Sequence, residues 1–296
     1  MFKPLNALKL SIFHIFSGHH DSALQFNLLK YFKAGYPIIL FIGIGALFLW
    51  IILSAVIVLL AVIGILLSIP PDYSFFLNFV TWLLIIISVP LALLFFFVTP
   101  GEKANKVPGA VDNLSAVAIV LGIGRYLKKH EDIIPKNTEI QLVSFGCEEA
   151  GLRGAYRYVK RHLSELKKFN AICVNMDGIQ SKEATQVVEF EPTTRTKHSR
   201  EVVQKILKAS ELVDIELKQL GASTGAKILG QISGGTDATA FSKSEVKAAN
   251  ISAMELRKFV KFYHQPTDTL DMIERGSLDD VLKISLAFLI NESNVK

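Results

Sequence analysis

Cysteine is scarce in this sequence. The chain contains only two cysteines, Cys147 and Cys173. Two cysteines far apart in the chain exclude the disulfide framework of small secreted domains and favour a reducing compartment. Cys147 could in principle act as a thiol nucleophile, but no histidine lies near it in sequence. We therefore expect it to be a small residue buried at the end of a strand.

Any strong excess of positive charge is also lacking, and the basic residues are scattered through the predicted helices. The formal net charge is +5, and pairs such as Lys128-Lys129 and Lys167-Lys168 are typical of solvated helix faces. The preference of Lys and Arg for the cytoplasmic side of membranes, together with an anionic membrane surface, explains this small excess. We expect no nucleic-acid partner.

Charge is almost absent between Tyr36 and Thr99, where Asp72 is the only charged residue. Pro70-Pro71-Asp72-Tyr73-Ser74 divides this stretch with a turn-like break. Each half exceeds the roughly 20 apolar residues that cross a bilayer core, which disfavours a buried helix of a soluble protein. The apolar run also starts too late and is too long for a signal peptide. We predict a transmembrane hairpin over residues 36–99, with spans at 36–69 and 75–99.

Flanking lysines predict the orientation of this hairpin. Lys30 and Lys33 precede it, Lys103 and Lys106 follow it, and the connecting turn has no Lys or Arg. Because cytoplasmic flanks are enriched in Lys and Arg, both outer ends should be cytoplasmic. The sequence thus predicts an integral membrane protein that contacts the lipid bilayer and places its remaining domain in the cytoplasm.

Outside the hairpin, apolar segments of strand length alternate with segments of helical periodicity. This alternation predicts an α/β fold with a mostly parallel mixed sheet sandwiched by helices. We expect one domain, made of residues 1–35 and 100–296 and interrupted by residues 36–99. The predicted strands are Ala7–Phe16, Glu139–Phe145, Phe169–Asn175, Thr185–Phe190 and Ala248–Met254, and the predicted helices are Leu114–His130, Gly151–Leu166, His198–Ala209 and Ser277–Leu289.

Side chains that bind metals occur in five short clusters at predicted strand ends. The clusters are His19-His20-Asp21, Asp112-Asn113, Glu148-Glu149, Asp177 and Tyr263-His264. Taken singly, each is more typical of a surface pair or a helix cap. Together, two histidines and several carboxylates fit a pair of zinc-type divalent ions. Such a pair needs one bridging carboxylate, and another carboxylate must stay off the metals to take a proton from water.

The order of these motifs resembles the aminopeptidase branch of metallopeptidase family 28, whose members are two-zinc exopeptidases of the zinc-exopeptidase, phosphorylase/hydrolase-like fold. The matching segments are Gly18-His19-His20-Asp21-Ser22, Gly109-Ala110-Val111-Asp112-Asn113, Glu148-Glu149-Ala150-Gly151-Leu152-Arg153-Gly154, Asn175-Met176-Asp177, Gly235-Thr236-Asp237 and Tyr263-His264-Gln265-Pro266-Thr267-Asp268-Thr269.

The resemblance implies five metal ligands in two sets that share one carboxylate. His19 and Asp177 would hold one zinc ion, Glu149 and His264 would hold the other, and Asp112 would bridge the two.

The resemblance also implies roles for residues that do not bind metal. Glu148 would be the general base, and Asp21 would fix the tautomer and orientation of His19. Asp237 and Asp268 occupy matched positions with structural or supporting duties. On this basis we expect an aminopeptidase that acts on short, membrane-proximal peptides.

Two departures from the family pattern leave alternatives open. Only 18 residues precede His19, so either the true start lies upstream or part of the sheet is missing. The hairpin also lies between His19 and Asp112 in the sequence. Because a hairpin enters and leaves the membrane on the same side, the two residues can still meet in one domain. The alternatives are a carboxypeptidase, a one-zinc relative similar to glutaminyl cyclases, and a membrane scaffold of the same fold that has lost catalysis.

Overall fold

A computed structural model of the chain describes residues 12–67, 74–94, 106–134, 137–220 and 235–294. The predicted turn around Asp72 and the first part of the predicted opening strand lie outside these ranges. The chain divides into two compact units, Met1–Ala23 with Val107–Lys296, and Leu24–Lys106.

A six-stranded mixed sheet forms the centre of the first unit. Its order is β2-β1-β3-β8-β4-β7. The first four strands are parallel, β4 is antiparallel to β8, and β7 is parallel to β4. β5 and β6 pair separately as an antiparallel ribbon. The strands are β1 Ile12–His19, β2 Thr138–Phe145, β3 Ile172–Ile179, β4 Gln186–Val188, β5 Phe190–Glu191, β6 Thr196–Lys197, β7 Lys218–Leu220 and β8 Lys247–Ala253.

Helices cover both faces of this sheet. Alternate residues of β3 point to opposite faces, and every residue of this strand is buried. On one face, Val174 and Met176 pack with α4, α6 and α9. On the other face, Cys173 packs with α5 and α7. The helices of this unit are α4 Ser115–Lys129, α5 Arg153–Lys168, α6 Arg200–Leu212, α7 Ala238–Lys243, α8 Leu256–Phe262 and α9 Ser277–Asn294.

Most predicted elements are present, with ends shifted by a few residues, but the predicted strand Thr185–Phe190 is wrong as a single element. It is divided between β4 of the main sheet and β5 of the ribbon. Glu189 lies between them and turns the chain, since its N–H donates to Leu220 of the main sheet while its carbonyl accepts from His198.

The described part of the second unit contains three α-helices. They are α1 Asn27–Phe32, α2 Tyr36–Leu66 and α3 Ser74–Leu94. With 31 residues α2 is about 47 Å long at 1.5 Å per residue. An 18-residue window of α2 has a mean hydropathy of 3.1 and is not buried inside the protein.

Two described helices are long and apolar enough to cross a membrane, Tyr36–Leu66 and Ala110–Lys129. The second is 56% buried over its most apolar window, because it packs against the sheet as a core helix. The described apolar part of α3, Phe79–Ala92, is shorter. By length and composition, α2 is therefore the described helix that fits a membrane span without belonging to a core.

Candidate functional site

The candidate site lies where three neighbouring strands of the sheet end. His19 is the last residue of β1, Glu148 and Glu149 follow β2, and Asp177 lies near the end of β3. Because β2 and β3 are both parallel to β1, their carboxyl ends meet at the same edge of the sheet. Open α/β sheets bind ligands at this edge.

His19 is surrounded by carboxylates on one side of the site. Its Nε2 atom lies 3.3 Å from Asp112 Oδ1, 3.8 Å from Glu148 Oε2 and 3.9 Å from Asp177 Oδ2. The imidazole is only 1% exposed, so these contacts lie in the interior of the protein.

His264 faces the opposite side of the same carboxylate. Its Nε2 atom lies 3.4 Å from Asp112 Oδ2 and 3.3 Å from Glu149 Oε2. The ring stacks on Tyr263 with centroids 3.7 Å apart, and Tyr263 in turn stacks on Phe259. The structure thus brings together all the site residues that the sequence singled out, with one oxygen of Asp112 toward each histidine.

A second carboxylate fixes the loop that carries Asp112. Asp268 Oδ1 accepts a hydrogen bond from Val111 N at 2.7 Å, and its Oδ2 accepts one from Asp112 N at 3.2 Å. Gly109 permits the sharp entry to this loop, since it adopts φ +69° and a Cβ there would lie 2.8 Å from the Asp112 carbonyl oxygen.

Asn113 ties the same loop to β3, a role that the sequence analysis did not assign. Its Nδ2 donates to the Met176 carbonyl at 3.0 Å, and its Oδ1 accepts from Gly178 N at 3.1 Å. These bonds flank Asp177 on both sides along the strand. The position of Asn113 directly after Asp112 in the motif was the available signal.

Asp21 supports two parts of the site at once. Its carboxylate accepts hydrogen bonds from Glu148 N at 3.1 Å and Glu149 N at 3.2 Å. The sequence predicted that Asp21 orients His19. The main-chain carbonyl of Asp21 lies 2.9 Å from His19 Nδ1, whereas its carboxylate lies 3.6 Å away.

The buried charges perturb one another on the His19 side. Burial disfavours the charged form of His19, but its hydrogen bonds to Asp112 and Asp21 and the charge of Asp177 outweigh this and raise its pKa. Burial raises the pKa of Glu148 to about 10, with Asp177 adding to the shift. The pKa of Asp177 lies well above its ordinary value, chiefly because of burial.

On the other side, burial opposes charge on His264, but hydrogen bonds to Asp112 and Glu149 raise its pKa to about 9. Burial raises the pKa of Glu149, and the charge of Asp112 adds to the shift. Burial acts in the same direction on Asp112, yet its hydrogen bonds to His19 and His264 lower the pKa of this carboxyl.

This donor set fits divalent metal ions. Glu149 Oε1 is buried and has no hydrogen-bond partner. Among the described residues, no Lys or Arg forms an ion pair with these carboxylates. His19, Glu148 and Asp177 can bring ligand atoms within 4.8 Å of one another, as can His19, Asp112 and Glu149. Imidazole nitrogen and carboxylate oxygen are ligands suited to zinc.

Two other residues of the sequence analysis lie beside the site. Asp237 is 1% exposed, and neither of its carboxylate oxygens has a hydrogen-bond partner. Burial raises its pKa to about 7. The prediction that Cys147 is buried is wrong. It adopts φ +58° in the turn after β2, and this turn leaves the thiol exposed, whereas Cys173 is buried.

Comparison with known sequences identifies the family of the chain and a curated relative. Residues 97–289 match Peptidase family M28. The chain is 29% identical over 174 residues to aminopeptidase YwaD of Bacillus subtilis (strain 168), an alignment that covers 58% of this chain and 35% of the relative.

Solved structures show the same fold. The zinc aminopeptidase BSAP from Bacillus subtilis matches with a TM-score of 0.57 at 18% identity, over 98% of this chain and 48% of its own. The aminopeptidase from Aneurinibacillus sp. strain AM-1 gives 0.54 at 20% identity, over 98% and 46%. Fimbriiglobus ruber glutaminyl cyclase gives 0.53 at 12% identity, over 96% and 72%. This chain spans about half the length, or less, of the aminopeptidases. The likeness confirms the predicted α/β fold with a mostly parallel sheet.

Proposed function

The chain belongs to peptidase family M28, and from that premise we propose that it is a metal-dependent exopeptidase, an aminopeptidase that removes N-terminal residues from peptides. The observation that carries this proposal is the position of Asp112 between two histidines. Its two oxygens lie 3.3 and 3.4 Å from His19 Nε2 and His264 Nε2. A carboxylate placed in this way is suited to bridge two metal ions.

Two divalent ions, zinc in our proposal, would be held by two sets of residues. His19 and Asp177 would hold one ion, Glu149 and His264 the other, and Asp112 would contact both. When bound, such ions polarise a scissile carbonyl and acidify water. The positive charge would also relieve the repulsion among carboxylates that raises the pKa of Asp177 and Glu149.

Glu148 would be the general base. Its carboxylate lies 3.8 Å from His19 Nε2, and the Asp21 carboxylate accepts a hydrogen bond from its backbone N–H. Burial makes this carboxylate a stronger base than an exposed glutamate, and the positive charge of bound metal ions would keep it ionised, so that it could take a proton from the attacking water. The same proton would then pass to the leaving amine. The surrounding carboxylates would attract the free α-amine of a peptide substrate, which favours an aminopeptidase over a carboxypeptidase.

Peptide trimming by the full chain in detergent tests this function. A mixed peptide pool is incubated with the protein and followed by mass spectrometry. We expect stepwise loss of N-terminal residues that a chelator abolishes and zinc restores. Glu148→Gln should lower the rate about 100- to 10,000-fold while the zinc content stays unchanged. Glu131→Gln makes the same change at an exposed position and should trim like the wild type.

The same experiment separates the alternative functions. Loss of ammonia from peptides that begin with glutamine, without trimming, would favour a cyclase, a fold relative with which this chain aligns over 96% of its length. Trimming from the carboxyl end would favour a carboxypeptidase. A folded, zinc-loaded protein with neither activity would favour a scaffold and overturn the proposal.

We further propose that residues 36–99 form a transmembrane hairpin inserted into the catalytic domain. In support, the chain leaves the compact unit of the site after Ala23 and returns to it at Val107. The length and hydropathy of α2 suit a span, and the lysines before and after residues 36–99 favour cytoplasmic ends. The active site would then act on membrane-proximal peptides in the cytoplasm. A reporter inserted at Asp72 should be non-cytoplasmic, and a cytoplasmic reporter would overturn this topology.

A further inference from the structure

Helix α5 presents a row of basic side chains to solvent. We call Arg153, Arg157, Lys160, Arg161 and Lys168 the basic stripe. All five side chains are exposed, and at 3.6 residues per turn they fall within an arc of about 100°. The row extends about 22 Å along the helix. From the sequence alone, basic residues of this kind are typical of a solvated helix face.

The basic stripe lacks the acidic partners that solvated helix faces usually carry. Among the described residues, none of its five side chains forms an ion pair with Asp or Glu. The single acidic residue of α5 is Glu165, which lies beside His162 at 3.4 Å. Lys167, just beside the stripe, is paired with Glu245 at 2.8 Å.

This arrangement is unfavourable for the isolated helix. Arg153 and Arg157, and then Arg157 and Arg161, are like charges one turn apart, and such pairs destabilise a helix. Arg153 is also the first helical residue, where the helix dipole disfavours a positive charge. The buried face, with Ala155 and Val159, already anchors α5 to the sheet. The repulsion among Arg153, Arg157 and Arg161 therefore adds nothing to this anchoring, and it points to an anionic partner.

We propose that the basic stripe docks on an anionic membrane surface. The cations lie in a row on the outer face of a helix, so all of them can contact the lipid phosphates of a flat membrane surface. Single-stranded nucleic acid, by contrast, is bound in grooves with stacked aromatic side chains. The exposed aromatic side chain on α5 is Tyr156, beside the stripe, and tyrosine is common at membrane interfaces. α5 begins shortly after Glu149, so docking would bring the rim of the candidate site to the lipid surface.

Lipid quenching of a fluorophore on the stripe tests this proposal. The full chain is reconstituted in nanodiscs of phosphatidylcholine with or without phosphatidylserine, both with a spin-labelled phospholipid. Ser164, exposed within the stripe, is changed to Cys in a Cys147→Ser background and labelled, while Cys173 is buried. Quenching should be severalfold stronger with phosphatidylserine. It should be lost at 1 M salt, where the screening length is about 3 Å.

Matched variants make the test specific. A label at Gln204→Cys, exposed on α6 over the other face of the sheet, should show equal quenching in both lipids. Arg157→Glu with Arg161→Glu gives position 157 the opposite-charge neighbours Arg153 and Lys160, which offset the repulsion between the two new carboxylates and between position 161 and Glu165. The fold is therefore preserved, and the double change should abolish the phosphatidylserine effect. Lys128→Glu with Lys129→Glu changes the net charge equally on α4 and should leave the effect intact.

Three results would overturn the proposal. They are equal quenching at Ser164 in both lipids, quenching that survives the double change at Arg157 and Arg161, and quenching that both double variants abolish alike. RNA binding that depends on the stripe, with no effect of lipid charge, would instead assign it to nucleic acid. Because the readout is lipid contact and not peptide turnover, a failure of the proposed peptidase activity would leave these results interpretable.

Discussion

His14 and His19 lie on the same strand and are equally buried, at 1% exposure, but their surroundings are opposite. His14 packs edge-on against Phe288 in the apolar core, and its Nδ1 has no hydrogen-bond partner. Burial, assisted by the charge of Lys205, lowers its pKa to about 3. His19 suffers the same desolvation, yet its carboxylate neighbours raise its pKa.

The difference shows that position along and across the sheet, and not burial, decides the chemistry of a histidine here. The two positions differ by an odd number in the sequence, so their side chains point to opposite faces of the sheet. His14 lies mid-strand, where helices cover the sheet with apolar side chains. His19 lies at the carboxyl end, where the loops bring Asp112 and Glu148 over the strand. The carboxylates of the candidate site lie together at this end, and a metal ion would relieve the repulsion among them.

Removing the Asp112 carboxylate should have the largest effect on the contrast between His14 and His19. Asp112→Asn deprives both histidines of their common partner, so we expect zinc content to fall and peptide trimming to drop by orders of magnitude. Zinc per chain and the trimming rate measure this. Asp132→Asn, the same change at an exposed position, should alter neither. A zinc-loaded, active Asp112→Asn protein would contradict the bridging role.

Removing the Asp21 carboxylate, which holds the backbone of Glu148 and Glu149, should have a smaller effect than removing the Asp112 carboxylate. Asp21→Ala leaves Glu148 N and Glu149 N without their acceptor, while the main-chain carbonyl that contacts His19 remains. Loss of such supporting groups typically costs about 10- to 100-fold in metal affinity or activity.

Asp21→Asn is the matched control, because its amide retains one acceptor oxygen and should recover part of the loss. The trimming rate at saturating zinc and the zinc affinity should both respond. Equal rates in the wild type and both variants would show that the backbone at Glu148 needs no such anchor.

The half of the site built on strands could be predicted from the sequence. His19 and Asp177 end apolar segments of strand length, and the carboxyl ends of neighbouring parallel strands meet at one edge. The family match confirms the family that the ordered motifs indicated. The contact between Asp112 and His264 followed only from the resemblance, because no local pattern brings residues so distant in sequence together.

The loops that aim the ligands could not be predicted in the same way. Hydrogen bonds from backbone N–H groups to the Asp21 and Asp268 carboxylates depend on turn geometry, which short polar segments do not specify. Cys147 illustrates the same limit. Its backbone adopts φ +58°, which is uncommon for a non-glycine residue, and the sequence around it gives no sign of this conformation. The division of Thr185–Phe190 between two sheets depends on partners elsewhere in the chain.

The pH dependence of stability should sharpen the contrast from the side of His14. The native state binds fewer protons than the unfolded chain between the folded pKa of about 3 and the ordinary value of 6.5. Stability contributed by neutral His14 is therefore present above about pH 6.5 and is lost as pH falls, by up to about 1.4 kcal/mol per pH unit. His14→Leu removes this loss, so its stability relative to the wild type should rise between pH 7 and pH 5.5. Thermal unfolding in detergent with chelator measures the difference.

Phe16→Leu provides the matched control for this experiment, since Phe16 packs on the same Phe288 ring and does not titrate. It should destabilise the protein by the same amount at both pH values, because only packing is lost. All other titrating groups are common to the three proteins and cancel in the comparison. A constant offset between His14→Leu and the wild type would show that His14 takes up its proton as readily folded as unfolded. In that case the apolar surroundings of His14 would not control its charge, and the contrast with His19 would lose one of its two sides.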